Sequence, residues 1–367
     1  MEQQAEVIVE EAEAATSQPR SVEHEYTLNW APILKHLGAS LLVSTYQAGK
    51  VVVVSRGSAP DELDIRLSCH NFERAMGVAV APGRLAVGAR SLVWILRDAP
   101  AVAPQLDPPG THDACYLTRA ALFTGAINSH ELAWADDELW VVNTLFSCLC
   151  TLDDEHSFVP RWRPPFVSRY APEDRCHLNA LAMEKGKPRY VTVFGTTDSP
   201  GGWRAAKVTS GCLIDVPSSA VVVNGLAMPH SPRIHGGQVW LLDSGRGRLV
   251  LADVQNGSVE TVAELPGYTR GLAFAGSLAF VGLSKVRESA TFGGVPIAAD
   301  RQRLKCGVAI VDLIAGKMIG LLEFHTGIEE LFDVHLVPGA LSPFLSGPYP
   351  DVDRQAPIWL APPPAAA

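Results

Sequence analysis

The strongest constraint on this chain is a motif that recurs at intervals of about 45–55 residues, the spacing of propeller blades. Met76-Gly77-Val78-Ala79-Val80 leads through a turn to Arg84-Leu85-Ala86-Val87. His130-Glu131-Leu132-Ala133-Trp134 leads through Asp136-Asp137 to Glu138-Leu139-Trp140-Val141-Val142. Asn179-Ala180-Leu181-Ala182-Met183 leads through Lys185-Gly186 to Tyr190-Val191-Thr192-Val193. Asn224-Gly225-Leu226-Ala227-Met228 leads to Gly236-Gly237 and Gln238-Val239-Trp240-Leu241-Leu242, and Arg270-Gly271-Leu272-Ala273-Phe274 leads to Ser277-Leu278-Ala279-Phe280-Val281. Each copy reads as a strand of small residues, a tight turn and a hydrophobic strand. Gly and Ala suit an innermost strand, where backbones crowd at an axis. Outer strands follow, as in 247–254 and 259–265, joined at the hairpin signal Asn256-Gly257.

One unit is split. Segments 41–46, 50–55 and 63–71 read as the outer three strands of a blade, and 332–337 lies in the inner-strand register. The reading is an all-β, six-bladed β-propeller closed by a C-terminal strand that completes the first blade. Closure removes exposed sheet edges. A long β-sandwich or an open solenoid is the alternative. The propeller is expected over 26–350, between an acidic flexible tail (1–25) and a Pro/Ala-rich tail (351–367), with a short helix at 30–37.

Composition bounds the function. The net charge is −9, and much of it comes from Glu2, Glu6, Glu10, Glu11, Glu13, Glu23 and Glu25 in the N-terminal tail. The remainder is near neutral without a Lys/Arg run, so no nucleic-acid partner is expected. No apolar run approaches the roughly 20 residues of a membrane helix, and no signal peptide is apparent. Seven cysteines, without CxxC pairs, fit reduced thiols and a cytoplasmic location better than disulfides or zinc. Cys148, Cys150, Cys176 and Cys306 read as core residues, with Cys176 the one candidate nucleophile because His177 follows it. No nucleotide-binding motif, serine elbow or paired-carboxylate signature is present, so no nucleotide cofactor is expected.

In a propeller the residues entering the inner strands share one mouth with the loops joining second to third strands. That register places Met76, His130, Asn179, Asn224, Arg270 and Phe332 in a ring, preceded by Arg74, Asn128, His177, Tyr268 and Glu330. The loops add Tyr46, Arg90, Asn143, Trp203, Asp243, Arg246 and Lys285. Cations outnumber anions there, which suits an anionic ligand such as a carboxylate or phosphate. Inter-blade ion pairs are the bland alternative for the arginines. His130 and His177 are the acid–base candidates, because imidazole titrates near neutral pH. His130, Asn179 and Asn224 could ligate a divalent metal, with His177 or Glu330 as a fourth ligand, although Arg270 opposes a second cation. His230 and His235 fall in a predicted first-to-second loop on the opposite face. Segments 157–175 and 285–305 interrupt the repeat and read as lids.

Asn224-Gly225-Leu226-Ala227 followed by Val239-Trp240-Leu241-Leu242-Asp243-Ser244-Gly245 resembles a blade of the gluconolactonase, strictosidine synthase and paraoxonase-like propellers. In the metal-dependent members the motif's Asn is a calcium ligand, which the resemblance would transfer to Asn224. The acidic ligand of the following blade is replaced here by Arg270, a departure that weighs against calcium and lactonase activity. Over nearly the whole chain the sequence is similar to a bacterial family of conserved hypothetical propeller proteins. That similarity rests on Val142-Asn143-Thr144-Leu145-Phe146-Ser147-Cys148-Leu149, Phe158-Val159-Pro160-Arg161-Trp162-Arg163-Pro164-Pro165-Phe166, Arg175-Cys176-His177-Leu178-Asn179, Met228-Pro229-His230-Ser231-Pro232-Arg233 and Thr269-Arg270-Gly271-Leu272-Ala273-Phe274.

The function expected from these features is a non-redox enzyme: a lyase, isomerase or hydrolase acting on an anionic small molecule or peptide group at the channel mouth. His130 and His177 would move protons, Arg270 with Lys285 or Arg90 would hold the anion, and Asn143, Asn179 and Asn224 would orient the substrate. The alternative is a non-catalytic ligand-binding or protein-interaction propeller, for which Trp162 and Phe166 would mark an apolar rim.

Overall fold

The structure, a computed structural model, describes residues 6–9, 22–57, 63–286 and 293–362. Six antiparallel sheets form the blades of a propeller, each running from the axis outward. Blade 1 orders Asp333–Pro338, Ala39–Thr45, Lys50–Arg56 and Ile65–Asn71. Blade 2 comprises Val78–Ala81, Arg84–Gly88, Leu92–Asp98 and Ala114–Phe123, with Pro343–Ser346 added in parallel outside. Blade 3 comprises Ser129–Ala135, Glu138–Asn143, Cys148–Thr151 and Val159–Trp162, and blade 4 Ala180–Glu184, Lys187–Val193, Gly211–Asp215 and Ala220–Leu226. Blade 5 comprises His230–His235, Gln238–Asp243, Arg248–Asp253 and Ser258–Glu264. Blade 6 comprises Tyr268–Ala275, Leu278–Ser284, Gly307–Asp312 and Lys317–Phe324, with His24–Tyr26 as a fifth strand.

Closure follows the expected route. Val334 pairs with Val43 and Leu336 with Leu41, so a late strand completes blade 1. Val334 is fully buried in the cluster that joins blades 1 and 6 with Leu41, Val43, Phe280 and Val308. The helix Trp30–Leu37 seals the outer side of that cluster through buried Trp30 and Leu34 and ends at Gly38 in the left-handed region. Between blades, Val, Leu and Ile side chains from facing sheets interdigitate, as in the cluster of Val191, Val193, Leu149 and Val142. At the axis the backbones come close enough to need glycine. A Cβ on Gly77 would lie 2.6 Å from Glu131 Cα, and one on Gly271, at φ +82°, would lie 2.6 Å from Val334 N.

Blade 5 departs from the sequence reading. Its inner strand is His230–His235, whereas Asn224 lies within the outermost strand of blade 4, Ala220–Leu226, and is exposed. The run Val221–Ala227 reads as strand because its residue types favour one, but it is the wrong strand of the unit. Pro232 disguises the true one. It is tolerated because the register shifts between His230 and Arg233, a bulge where no ladder donor is required. Likewise the expected lid 157–175 contains the outermost strand of blade 3, with Pro160 on that edge strand.

The ends, expected as tails, carry structure where they are described. Glu6–Val9 pairs with Ile358–Ala361, and His24–Tyr26 pairs with Lys317–Phe324. Asp353, in the short helix Pro350–Asp353, accepts from the Asn71 N–H at 3.0 Å. The remaining positions of 1–21 lie outside the described residues. No described helix is long and apolar enough to cross a membrane.

Candidate functional site

The inner strands of blades 3, 5 and 6 each carry a bulge at the same height, next to His130, His230 and Arg270. Bulges re-aim side chains, and here they turn all three toward the mouth. Two residues earlier in each of four blades stands a non-glycine residue in the left-handed region: Arg74 (φ 54°), Asn128 (54°), His177 (52°) and Met228 (50°). Each such conformation costs about 1 kcal/mol or more. Its repetition marks the mouth as the place where the backbone is bent to present side chains.

These elements assemble a closed collar of rings. Tyr46 stacks on Phe332 with centroids 5.7 Å apart, Phe332 lies 5.1 Å from His130, and His130 lies 5.0 Å from His177. His177 stacks on Phe194 at 4.3 Å, Phe194 meets His230 at 5.2 Å, and His230 meets Tyr268 at 5.8 Å. The Arg270 guanidinium completes the collar, 3.3 Å above the Phe332 ring.

All three imidazoles are held by Nδ1. His130 Nδ1 lies 2.8 Å from Thr144 Oγ1 and 3.2 Å from the Asn128 carbonyl. Because the Thr144 hydroxyl donates to Leu178 O, it accepts from His130. His230 repeats the arrangement, with Met228 O at 3.0 Å and Ser244 Oγ at 3.1 Å. His177 donates to Asp174 Oδ2 at 2.8 Å, and Trp203 Nε1 donates to the same oxygen at 3.1 Å. In His130 and His230 the backbone carbonyl at Nδ1 fixes the proton there, which leaves the lone pair on Nε2.

Burial first, then the Arg270 charge and His177, hold both His130 and His230 well below the ordinary value of 6.5. Both rings are therefore neutral at neutral pH. Arg270 is 8% exposed. Burial lowers its pKa, against the pull of Glu330 and Tyr268. Its Nη2 is buried without a hydrogen bond, and its ionic partner Glu330 lies 3.9 Å away. Tyr268, Arg270, Ser284, Lys285 and Glu330 line a crevice with essentially no room for water. The segment Pro296–Arg303 lies alongside, and its flanks Val295 and Leu304 pack with Phe194, Trp203, Met228 and Tyr268.

The expected site residues divide. His130, His177, Arg270, Tyr46, Lys285 and Glu330 meet at the mouth. Trp203 is 1% exposed and backs His177 rather than walling a ligand space. Asn179 is engaged by Thr192 Oγ1 at 2.7 Å and by the His177 carbonyl at 3.2 Å. Asn143 is fully buried and caps the Phe146 N–H. Asp243 and Arg246 form an ion pair that ties Ala227 N, Gly225 O and Val208 O, the bland alternative realised. Arg90 pairs with Glu73 at 2.7 Å on the exposed rim. Trp162 packs toward blade 4 and donates to Ser219 Oγ.

Asn224 does not join the ring, because its place belongs to His230, which the sequence pattern puts on the opposite face. The metal set His130, Asn179, Asn224 and Glu330 consequently does not assemble. Among the described residues no group of three or more His, Cys, Asp or Glu side chains is arranged to hold a metal ion. His230 had a sequence signal. Its Ser244 partner is 14 residues downstream, the same offset that separates His130 from Thr144.

A second cluster, unforeseen, fills the axis below the collar. Arg233 donates to Glu131, to Leu272 O at 3.0 Å and to Leu181 O at 3.4 Å, and it faces Asp333 at 3.8 Å. Glu131 accepts from Leu181 N, and Asp333 accepts from Val78 N at 3.0 Å and pairs with His335 at 3.0 Å. Val78, Glu131, Leu181, Arg233, Leu272 and Asp333 come from the six inner strands, so one network ties every blade at the axis. Burial raises Glu131 to about 7 despite Arg233. For Asp333 burial acts in the same direction, but His335, Arg233 and the Val78 N–H overcome it and hold the carboxyl low.

A family model described as a domain of unknown function, DUF4915, matches residues 28–345. The chain belongs to the DUF4915 family. The match spans all six blades, so the propeller is the structure of this family's domain in this chain. Among solved structures the chain is similar to a protein of unknown function from Bacteroides caccae. The TM-score is 0.50 and the identity 11%, over 82% of this chain and 98% of that one. It is also similar to a chain of a nidogen/laminin complex, with a TM-score of 0.53 and 10% identity over 82% and 99% of the two chains. At these identities the likeness shows the fold alone. The chain matches no curated protein.

Proposed function

We propose that the collar is the active site of a non-redox enzyme, a lyase, isomerase or hydrolase, acting on an anionic small molecule or peptide group. The observation that carries this reading is Arg270: a buried guanidinium with one unbonded nitrogen, a single carboxylate at 3.9 Å, and neutral imidazoles around it. A buried charge so weakly paired costs several kcal/mol unless an anion completes it. A substrate carboxylate or phosphate on Nη2 would do so.

Proton transfer then falls to the histidines. Asp174 orients His177 through Nδ1, the base-and-orienter arrangement of nucleophile-activating sites. His130 and His230, neutral and open at Nε2, are suited to accept a second proton or a substrate hydroxyl hydrogen bond. The crevice is closed as it stands, so Lys285 and Glu330 must part for an anion to reach Nη2.

Incubation of the protein with an extract of anionic metabolites, followed by mass spectrometry, tests the reading. The expected result is depletion of one component and appearance of its isomer or fragments, abolished in the His130→Ala/His177→Ala variant. A component that binds without conversion would instead identify a ligand-binding module. Turnover that survives the double substitution would remove the histidines from the chemistry.

A further inference from the structure

The crevice beside Arg270 already contains an anion of the protein's own. Among the described residues the Arg270 guanidinium donates no hydrogen bond, and its Nη1 faces Glu330 Oε1 at 3.9 Å. The Glu330 carboxylate accepts no hydrogen bond among the described residues either, and its side chain is 21% exposed against 10% for Arg270. The backbone on both sides of Glu330 is pinned. Glu329 O accepts from Lys285 N–H at 2.9 Å, Leu331 N–H donates to Ser284 Oγ at 2.9 Å, and Phe332 N–H donates to Ser44 O at 2.8 Å. The tethered carboxylate thus stays outside the range of a charge-assisted hydrogen bond, about 2.7–2.9 Å. A free anion is under no such restraint.

The neighbouring charges decide which anion fits. Asp333 is spent on the Val78 and Val334 N–H groups and on His335, and Asp243 is spent on Arg246. Lys285 lines the same crevice as Arg270 and Glu330, and its ammonium has no ion pair among the described residues. Two cations therefore meet one carboxylate. A partly solvated ion pair without a hydrogen bond is worth little, so Glu330 leaves by rotating its own side chain toward solvent while its backbone stays in place. Arg270 and Lys285 then border one space with no counter-charge. We propose that Glu330 is a resting-state stand-in for the anionic group of the substrate, and that this group is a phosphate monoester, whose two charges Arg270 and Lys285 share once Glu330 swings out. The planar guanidinium matches two phosphate oxygens, and the ammonium acts as a point charge on a third. This inference rests on the collar being the substrate site. It adds which group the substrate presents and which residue that group displaces.

Calorimetric titration of the full chain with inorganic phosphate, and with acetate as the singly charged comparison, tests the proposal at constant ionic strength. Phosphate should bind at least tenfold more tightly than acetate. Glu330→Gln, which keeps the side chain's size and removes its charge, should tighten phosphate about tenfold. Glu329→Gln, which removes a neighbouring charge outside the crevice, should change it less than about twofold. Lys285→Gln should weaken phosphate about tenfold with or without Glu330→Gln, and Arg270→Gln should abolish binding in both backgrounds. If Glu330→Gln does not fold, Glu330→Asp carries the comparison, because it draws the carboxylate back by one methylene and should tighten phosphate about threefold. With binding still abolished by Arg270→Gln, three results overturn the proposal and leave the collar reading standing: phosphate affinity equal or weaker in Glu330→Gln, affinity unchanged in Lys285→Gln, or acetate bound as tightly as phosphate. Phosphate binding that survives Arg270→Gln, or none in the wild type and Glu330→Gln alike, would overturn the collar reading and this inference together.

Discussion

Replacing Arg233 by Met tests whether the axial network holds the ring together. The substitution keeps much of the side-chain volume and removes the one cation that binds Glu131. The Glu131 side chain is 7% exposed, and its other partner is a single N–H at 3.3 Å. Asp333 keeps His335 and the Val78 N–H, so most of the loss falls on Glu131 and on the carbonyls of Leu181 and Leu272. Removing one partner of a buried pair costs about 3–5 kcal/mol. Glu131 can limit this by taking up a proton, because burial has already raised it to about 7. The cost should therefore be about 3 kcal/mol at pH 6 and should grow with pH, by up to about 1.4 kcal/mol per unit. Urea unfolding at pH 6, 7 and 8, followed by tryptophan fluorescence and circular dichroism, measures it. In the Glu131→Gln/Arg233→Met variant the pH dependence should vanish and part of the stability return, since no carboxylate is left stranded. A loss below 1 kcal/mol, the same loss at pH 6 and pH 8, or strictly additive effects in the double variant would refute the reasoning.

Other outcomes follow from the same geometry. In the wild-type protein Glu131 is raised from 4.5 to about 7, so its contribution to stability is complete below about 4.5 and is lost as pH rises toward 7. Glu131→Gln should flatten the stability profile over that interval. Asp333, held low, acts with the opposite sign, its contribution being lost only as pH falls through its depressed value. Asn224→Ala should change stability by no more than about 0.5 kcal/mol, as expected for an exposed position, and should leave turnover intact. His230→Gln should reduce turnover by tenfold or more. Cys176 is fully buried with its thiol pushed up to about 12, so iodoacetamide should label it in urea but not in the native protein.

The fold was legible because each blade repeats one pattern, and because Val334 and Leu336 supply the alternation that the split blade lacks. Blade 5 was misread for a local reason. Pro232 and Arg233 look like loop residues, and only the bulge lets a proline sit in an inner strand. The collar was half legible. His130, His177 and Arg270 stand in register, but His230 was hidden by the misplaced strand. Asp243 and Arg246 looked like ligands because an ion pair that locks a turn uses the same residue types as a binding site. The axial network was not legible at all. Glu131 and Arg233 lie 102 residues apart, and nothing local marks either as buried. Their juxtaposition comes from ring closure, a property of the whole chain.

The central claim is that a buried, incompletely paired Arg270 sits among neutral imidazoles whose Nε2 atoms are open. Long-range ¹⁵N–¹H spectra of the His130 and His230 side chains, recorded across pH and then with added inorganic phosphate, test it directly. The account predicts Nδ1–H tautomers that stay unprotonated at pH 6.5, with Nε2 resonances that shift on phosphate addition in the wild type and not in Arg270→Gln. Imidazolium signals at pH 6.5, or a phosphate response unchanged by Arg270→Gln, would contradict it.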